Sequence, residues 1–171
     1  MHGRGRSVKP LSEKISVRSA EEKDLTALAE LWSRLREFHH ELGMRFPKTE
    51  DASQAWLDSF RRTMGRFSFA WIAEADGSPK GFLLARIKQS PSFLGGVQVG
   101  DISDLYVTED VRGAGVGARL VDAAMKKLEE LGLHSVEAQV LSGNEAGLRF
   151  WINRGFDQDL TLVRKMMKGS R

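Results

Sequence analysis

Three glycines at alternate positions, Gly113, Gly115 and Gly117, lie within the stretch Val111 to Ala118 and directly precede an amphipathic helical pattern. Glycine reaches positive φ without steric cost and lets a ligand approach the backbone closely. The first amides of the helix that follows have no intrahelical acceptors and sit at the positive end of its dipole. The combination predicts an anion cradle, with phosphate as its natural guest.

The rest of the chain limits the fold that can present such a cradle. A length of 171 residues with 41% hydrophobic content fits one domain with a substantial core. Ile15 to Arg18 alternates as a first strand, and Leu25, Leu28, Leu31, Trp32, Leu35 and Phe38 recur at three and four as a long first helix. Asp51 begins a second helix carrying Trp56, Leu57, Phe60 and Met64. Phe67 to Ala73 and Gly81 to Ile87 flank Asp76-Gly77, a hairpin signal whose loop is either this pair or a longer one that includes Ser78 and Pro79. Val97 to Val107 predicts the strand that leads into the glycine loop. Val116, Leu120, Val121, Ala124, Leu128 and Leu131 trace the third helix, closed by Gly132. Val136, Ala138 and Val140 alternate as a fifth strand, Asn144 opens a short helix to Arg154, and patterns at Gly155-Phe156 and Leu160 to Met167 complete a mixed sheet.

Charge and composition exclude several classes of function. The net charge is +3 with a pI of about 9.3. Residues 1–14 hold Arg4, Arg6, Lys9 and Lys14 against Glu13, which is four positive charges less one negative, or +3. The remainder sums to zero, so residues 1–14 read as a flexible basic tail and residues 15–171 as the domain, with no basic footprint for nucleic acid. No apolar run approaches the roughly 18 residues of a membrane span, and the N-terminus has no hydrophobic signal core. A cytoplasmic protein without a membrane or nucleic-acid partner is expected. Cysteine is absent, which excludes disulfides, thiolate metal clusters and a cysteinyl acyl-enzyme. The adjacent histidines His39 and His40 lack the spacing of a metal pair, and no metal is expected.

Other uses of the glycine loop are less consistent with the chain around it. Gly113-Ala114-Gly115-Val116-Gly117-Ala118 also satisfies the dinucleotide pattern G-x-G-x-x-A, with Glu137 twenty residues beyond Gly117. That fold needs several further strand–helix units, whereas 54 residues follow Gly117, and the upstream hairpin is antiparallel. No Gly-Lys-Ser/Thr closes a Walker loop. Three glycines and Arg112 exceed what a tight turn alone requires.

Two motifs resemble those of the GCN5-related N-acetyltransferases. Arg112-Gly113-Ala114-Gly115-Val116-Gly117 matches their Q/R-x-x-G-x-G/A signature, preceded by Asp104-Leu105-Tyr106-Val107 as in their fourth strand. Asn144 to Phe156 resembles their second signature, N-x-x-A-x-x-F-Y-x-x-x-G-F, with Gly147 in place of the alanine and Trp151 in place of the tyrosine. The order of elements from Ile15 to Met167 fits as well.

The resemblance implies an α/β fold, a mixed and mostly antiparallel twisted sheet of about seven strands flanked by about four helices. It implies acetyl-CoA as co-substrate, its pyrophosphate on the amides of Arg112, Gly113, Ala114, Gly115, Val116, Gly117 and Ala118. The pantetheine arm would run along Leu105, Tyr106 and Val107, with Asn144 and Trp151 also at the cofactor. The Leu105 amide would stabilise the oxyanion, Asp104 or Asp101 would accept the proton of an amine, and Phe38, His39 and His40 would face the acceptor. A primary amine of small-molecule type is the expected acceptor. Protein N-terminal or lysine acetylation and a non-catalytic acyl-CoA-binding module stay open, as does a homodimer. Indole cannot protonate a leaving thiolate, so Trp151 leaves that role to water or to another group such as Tyr106, the only tyrosine. Without a cysteine nucleophile, transfer is expected to be direct, in a ternary complex. Initial-rate lines obtained by varying both substrates should therefore intersect, and parallel lines would indicate an acyl-enzyme.

Overall fold

The computed structural model describes residues 14–167. In chain order it contains β1 (Ile15–Ser19), α1 (Leu25–Glu41), α2 (Ala52–Thr63), β2 (Ser68–Ala75), β3 (Ser78–Gln89), β4 (Gln98–Val107), α3 (Val116–Glu130), β5 (Ser135–Ala138) and α4 (Glu145–Asn153). Short 3-10 turns occupy Glu22–Asp24, Ser92–Leu94 and Glu109–Val111. The sheet order is β1-β2-β3-β4-β5, antiparallel except for the parallel pair β4–β5. A parallel pair needs a crossover, and α3 supplies it.

Helices cover both faces of the sheet, which explains why β2 and β3 read as near-continuous apolar runs. Alternate residues sort to opposite sides. Trp71, Ala73, Leu83, Ala85 and Ile102 pack under Val116, Leu120, Val121, Ala124 and Leu128 of α3. Ala70, Ile72, Phe82 and Leu84 pack under Leu25, Leu28, Leu31 and Leu35 of α1 and Trp56, Leu57 and Phe60 of α2.

The β2–β3 connection is the two-residue form. Ala75 pairs with Ser78, and Asp76 and Gly77 take φ of 50° and 75°, the positive pair that a tight hairpin with right-handed twist requires. Ser78 and Pro79 belong to β3, and the register shift beyond Ala73 accommodates them.

Five strands form instead of the expected seven. Residues 156–167 carry no strand, and Leu160 and Val163 are 90% and 86% exposed. Asp157, Asp159, Arg164 and Lys165 interrupt the apolar residues of this segment, so it has no continuous face to bury. The edge of β5 spans only four residues and excludes Val140. The basic stretch assigned to residues 1–14 lies outside the described residues apart from Lys14. No helix among the described residues is long and apolar enough to cross a membrane.

A half-buried ionic knot ties β1, β2 and the entry to α1. The Arg18 guanidinium donates to Asp24 at 2.6 and 2.8 Å and to Glu74 at 3.0 Å twice. Asp24, itself buried, also accepts from the Glu21 amide at 2.8 Å. The Arg18 hydrogen bonds hold the Asp24 carboxyl down at about 2, against an ordinary 3.8, despite the opposing effect of burial. That difference corresponds to about 2 kcal/mol of stability. Because the folded value is depressed, the stability is present above the ordinary carboxylate value and lost as pH falls through about 2. Arg18→Gln is expected to cost about 2 kcal/mol or more in urea unfolding at neutral pH. The gap from the unmodified protein should narrow as pH falls through about 2.

Candidate functional site

The site is built on the open half of β4. Pairing with β5 runs from Val99↔Ser135 to Ile102↔Ala138 and stops there, leaving the edge of β4 from Ser103 to Val107 without a strand neighbour. The Thr108 amide donates to the Lys80 carbonyl at 2.8 Å, so Tyr106, two residues back, directs its backbone groups toward β3. By alternation Leu105 and Val107 direct theirs to the open edge. The Val107 carbonyl is taken there by Arg112 Nε at 3.0 Å, while the Leu105 groups have no backbone partner in β5.

A β-bulge sets which side chains reach this place. Ile102 pairs with Ala85 and Asp104 with Leu84, so Ser103 is the extra residue. The bulge puts Asp104 on the same face as Asp101 and Tyr106, beneath α1. Asp104 accepts from Trp32 Nε1 of α1 at 3.0 Å and from Ser103 Oγ at 2.6 Å. Its surroundings bury it deeply, though part of its surface stays open. Burial raises the carboxyl above its ordinary value, outweighing the hydrogen bond from Ser103, the charge of Arg86 and the contributions of Trp56 and Trp32. Trp32 and Trp56 stack at 5.4 Å and form the apolar wall behind it. A partly accessible carboxyl with raised proton affinity is the chemistry of a general base.

Asp101 lies one row away and is already occupied. It is buried, with Lys88 Nζ at 2.7 Å, and Lys88 also reaches Glu137 at 3.4 Å.

The glycine loop turns through two left-handed residues into α3. Gly113 and Gly115 take φ of 80° and 77°, and Gly115 is the N-terminal cap of α3. The Arg119 amide bonds to the Gly115 carbonyl, so the amides of Val116, Gly117 and Ala118 open the helix without intrahelical acceptors. The Ala114 amide bonds back to Val111. Gly117 plays a different part. It is helical, and a Cβ there would only touch Phe150 at 3.5 Å. Arg112 holds the start of the loop, its guanidinium 5.3 Å from the centre of the Phe38 ring and 5.7 Å from that of Tyr106.

Phe38, Tyr106, Leu105, Asp104 and the loop from Arg112 are thus brought together. His39 follows Phe38 at the end of α1. Burial first, then the charges of His40 and Arg36, hold its imidazole below the usual range. The buried His40 Nε2 has no hydrogen-bond partner among the described residues, and His40 lines a cavity of about 160 Å³ with Trp32, Arg36 and Glu37. A second cavity, about 390 Å³, lies on the far side of α1 by Glu30, Arg34, Lys80 and Asp110. Neither is lined by Leu105, Tyr106 or Val107 of the open strand edge.

Asn144 and Trp151 carry structural duties. The Asn144 side chain caps α4, accepting from the Gly147 amide at 2.9 Å. Trp151 is buried between Phe150 and Phe156, at 5.2 and 4.9 Å, in the core beside α3. Sequence reasoning missed Trp32, Trp56 and Ser103 as neighbours of Asp104. The tryptophans fit an apolar helical stripe, and a bulge leaves no mark in a strand pattern.

The family model described as Acetyltransferase (GNAT) family matches residues 27–156. A search of curated proteins found no match. Among solved structures, a tetramutant of a Bacillus halodurans protein superposes with a TM-score of 0.75 at 21% identity, covering 89% of this chain and 99% of the other. A predicted acetyltransferase with acetyl-CoA from Clostridium acetobutylicum gives 0.73 at 17%, covering 89% and 96%. An aminoglycoside N-acetyltransferase in complex with CoA gives 0.72 at 17%, covering 98% and 99%. At these identities the likeness to solved structures concerns the fold.

The differing conformations of the glycines can be tested. Gly115→Ala is expected to cost about 1 kcal/mol, a fall of about 2–4 °C in Tm, since an L-residue is strained at that φ. Gly117→Ala, helical and uncrowded, should leave Tm unchanged or slightly raised. Equal losses from both would contradict this division of roles.

Proposed function

The chain belongs to the acetyltransferase (GNAT) family, and from that premise we propose that it moves an acetyl group from acetyl-CoA to a small-molecule primary amine by direct transfer. Three features of the chain fit acetyl-CoA: the unpaired amides that open α3, the positive φ of Gly113 and Gly115, and the Leu105 backbone on an unpaired strand edge. The amides of Val116, Gly117 and Ala118 would hold the pyrophosphate and the Leu105 backbone the pantetheine arm, since the Arg112 and Ala114 amides already bond Glu109 and Val111 and the Val107 carbonyl is taken by Arg112. Bound there, acetyl-CoA supplies an activated thioester.

The observation that carries the reading is the partly open Asp104 carboxyl, with raised proton affinity, one residue from the free Leu105 amide. An amine arrives as an ammonium ion and attacks only after losing a proton. The Asp104 carboxylate accepts that proton, becoming neutral, the form its buried setting favours. The Leu105 N–H donates to negative charge developing on the carbonyl oxygen, where loss of one such donor typically costs about 3 kcal/mol. Trp32 and Ser103 hold the Asp104 carboxylate in position through the proton transfer. Trp151, buried and without an acidic proton, leaves protonation of the departing thiolate to water or Tyr106. The aminoglycoside acetyltransferase among the structural neighbours supports a small-molecule acceptor over a protein chain.

Release of CoA thiol across polyamines, aminoglycosides, amino acids and short peptides tests the reading. Thermal stabilisation by acetyl-CoA without release against any amine would favour a non-catalytic binding module. Asp104→Asn should lower kcat by about 100-fold or more while Asn still accepts from Trp32. Because the folded carboxyl is raised, its charged form costs stability as pH rises through that value, so the Asn variant should melt no lower than the parent at pH 7–8. The activity of the parent should rise with pH through a midpoint above the usual carboxylate range.

A further inference from the structure

Beneath α1 and α2, the row of the sheet beyond Asp104 runs Ser68, Arg86, Asp101, Glu137. The helical cover ends here, since Thr63, the last residue of α2, hydrogen-bonds Ser68 side chain to side chain at 2.8 Å. Arg86 is half-buried at this margin. Its partner across the strand pair, Asp101, is committed to Lys88 at 2.7 Å, and Lys88 also reaches Glu137. Arg86 therefore makes no hydrogen bond or ion pair among the described residues, although its charge is felt at Asp104. A half-buried guanidinium has five donors in a fixed fork that matches a carboxylate, and at Arg86 no acceptor among the described residues takes them, so they stand ready for a guest.

We propose that Arg86 binds a carboxylate carried by the acceptor close to its reacting amine, so that the acceptor is an amino acid rather than a polycation. The inference rests on the amine-acetylation reading and specifies its substrate class. Adjacent rows on one sheet face lie about 7 Å apart, a gap that an outstretched guanidinium and a carboxylate two or three bonds from the amine span together. The amine then meets Asp104 while the carboxylate meets Arg86. A second ammonium at the same place would face an unpaired positive charge. Asp101 and Glu137 offer it little, because Lys88 already occupies them.

Matched pairs, each an amino acid and its decarboxylated amine such as lysine with cadaverine or tyrosine with tyramine, test the proposal by CoA-thiol release. The carboxylated member should have the higher kcat/KM. Arg86→Gln should reduce that preference by about tenfold to a hundredfold, mainly through KM, and Arg86→Lys should retain part of it, keeping charge but losing the fork. A preference for the decarboxylated members, or one unmoved by Arg86→Gln, would overturn the proposal. If no amine releases CoA, the acetyl-transfer reading fails, and calorimetry of lysine and tyrosine with the CoA-bound protein still decides the Arg86 site. Binding abolished by Arg86→Gln supports it, whereas absent or unaltered binding overturns it.

Discussion

One inserted residue in β4 sets the arrangement of the whole site. Without Ser103 as a bulge, strict alternation would turn Asp104 toward the apolar core under α3, opposite Asp101. With it, Asp101, Asp104 and Tyr106 share the face beneath α1. Pairing with β5 ends at the residue before the bulge, so the place where the carboxylate is aimed is also where the strand edge opens. A bulge locally disrupts the ladder and sharpens twist, in keeping with the end of β4–β5 pairing at the residue before it.

The carboxylate is tolerable because its surroundings divide the cost of burying it. Two hydrogen bonds, from Trp32 and Ser103, serve its charged form, while the stacked tryptophans exclude much of the water that would otherwise lower its proton affinity. The balance raises its proton affinity above that of an ordinary carboxyl. Across the sheet the Arg18 knot shows the reverse balance, with enough donors around Asp24 to keep it charged far below neutral pH. Similar carboxyls thus play opposite parts, one stabilising the fold and one storing affinity for a proton.

The parts of the molecule set by periodicity were legible in the sequence. Leu25, Leu28, Leu31 and Leu35 are buried on α1 as their spacing predicts, and Gly113 and Gly115 take the positive φ that glycine allows. Alternation puts Asp104 on one face with Tyr106, as found, whereas the bulge at Ser103 that brings Asp101 to the same face leaves no mark in the pattern. The end strands failed for an energetic reason: Leu160 to Met167 has the apolar residues of a strand but no adequate sheet edge to pair with. Arg86 was hidden among the apolar residues from Gly81 to Ile87, where a single charge late in a buried strand was the available signal. His39 and Phe38 were readable as a cluster, whereas the Arg112 contact that ties Phe38 to the loop depends on tertiary packing.

The hydrogen bond from Trp32 to Asp104 has a mechanical meaning. Trp32 and Phe38 lie on one 17-residue helix, six residues or about 9 Å apart along its axis. The first donates a hydrogen bond to Asp104, and the second packs against Arg112 at the start of the glycine loop. Any small slide or rotation of that rod changes both at once. The Trp32–Asp104 hydrogen bond and the Phe38–Arg112 contact are therefore mechanically joined through one rigid element.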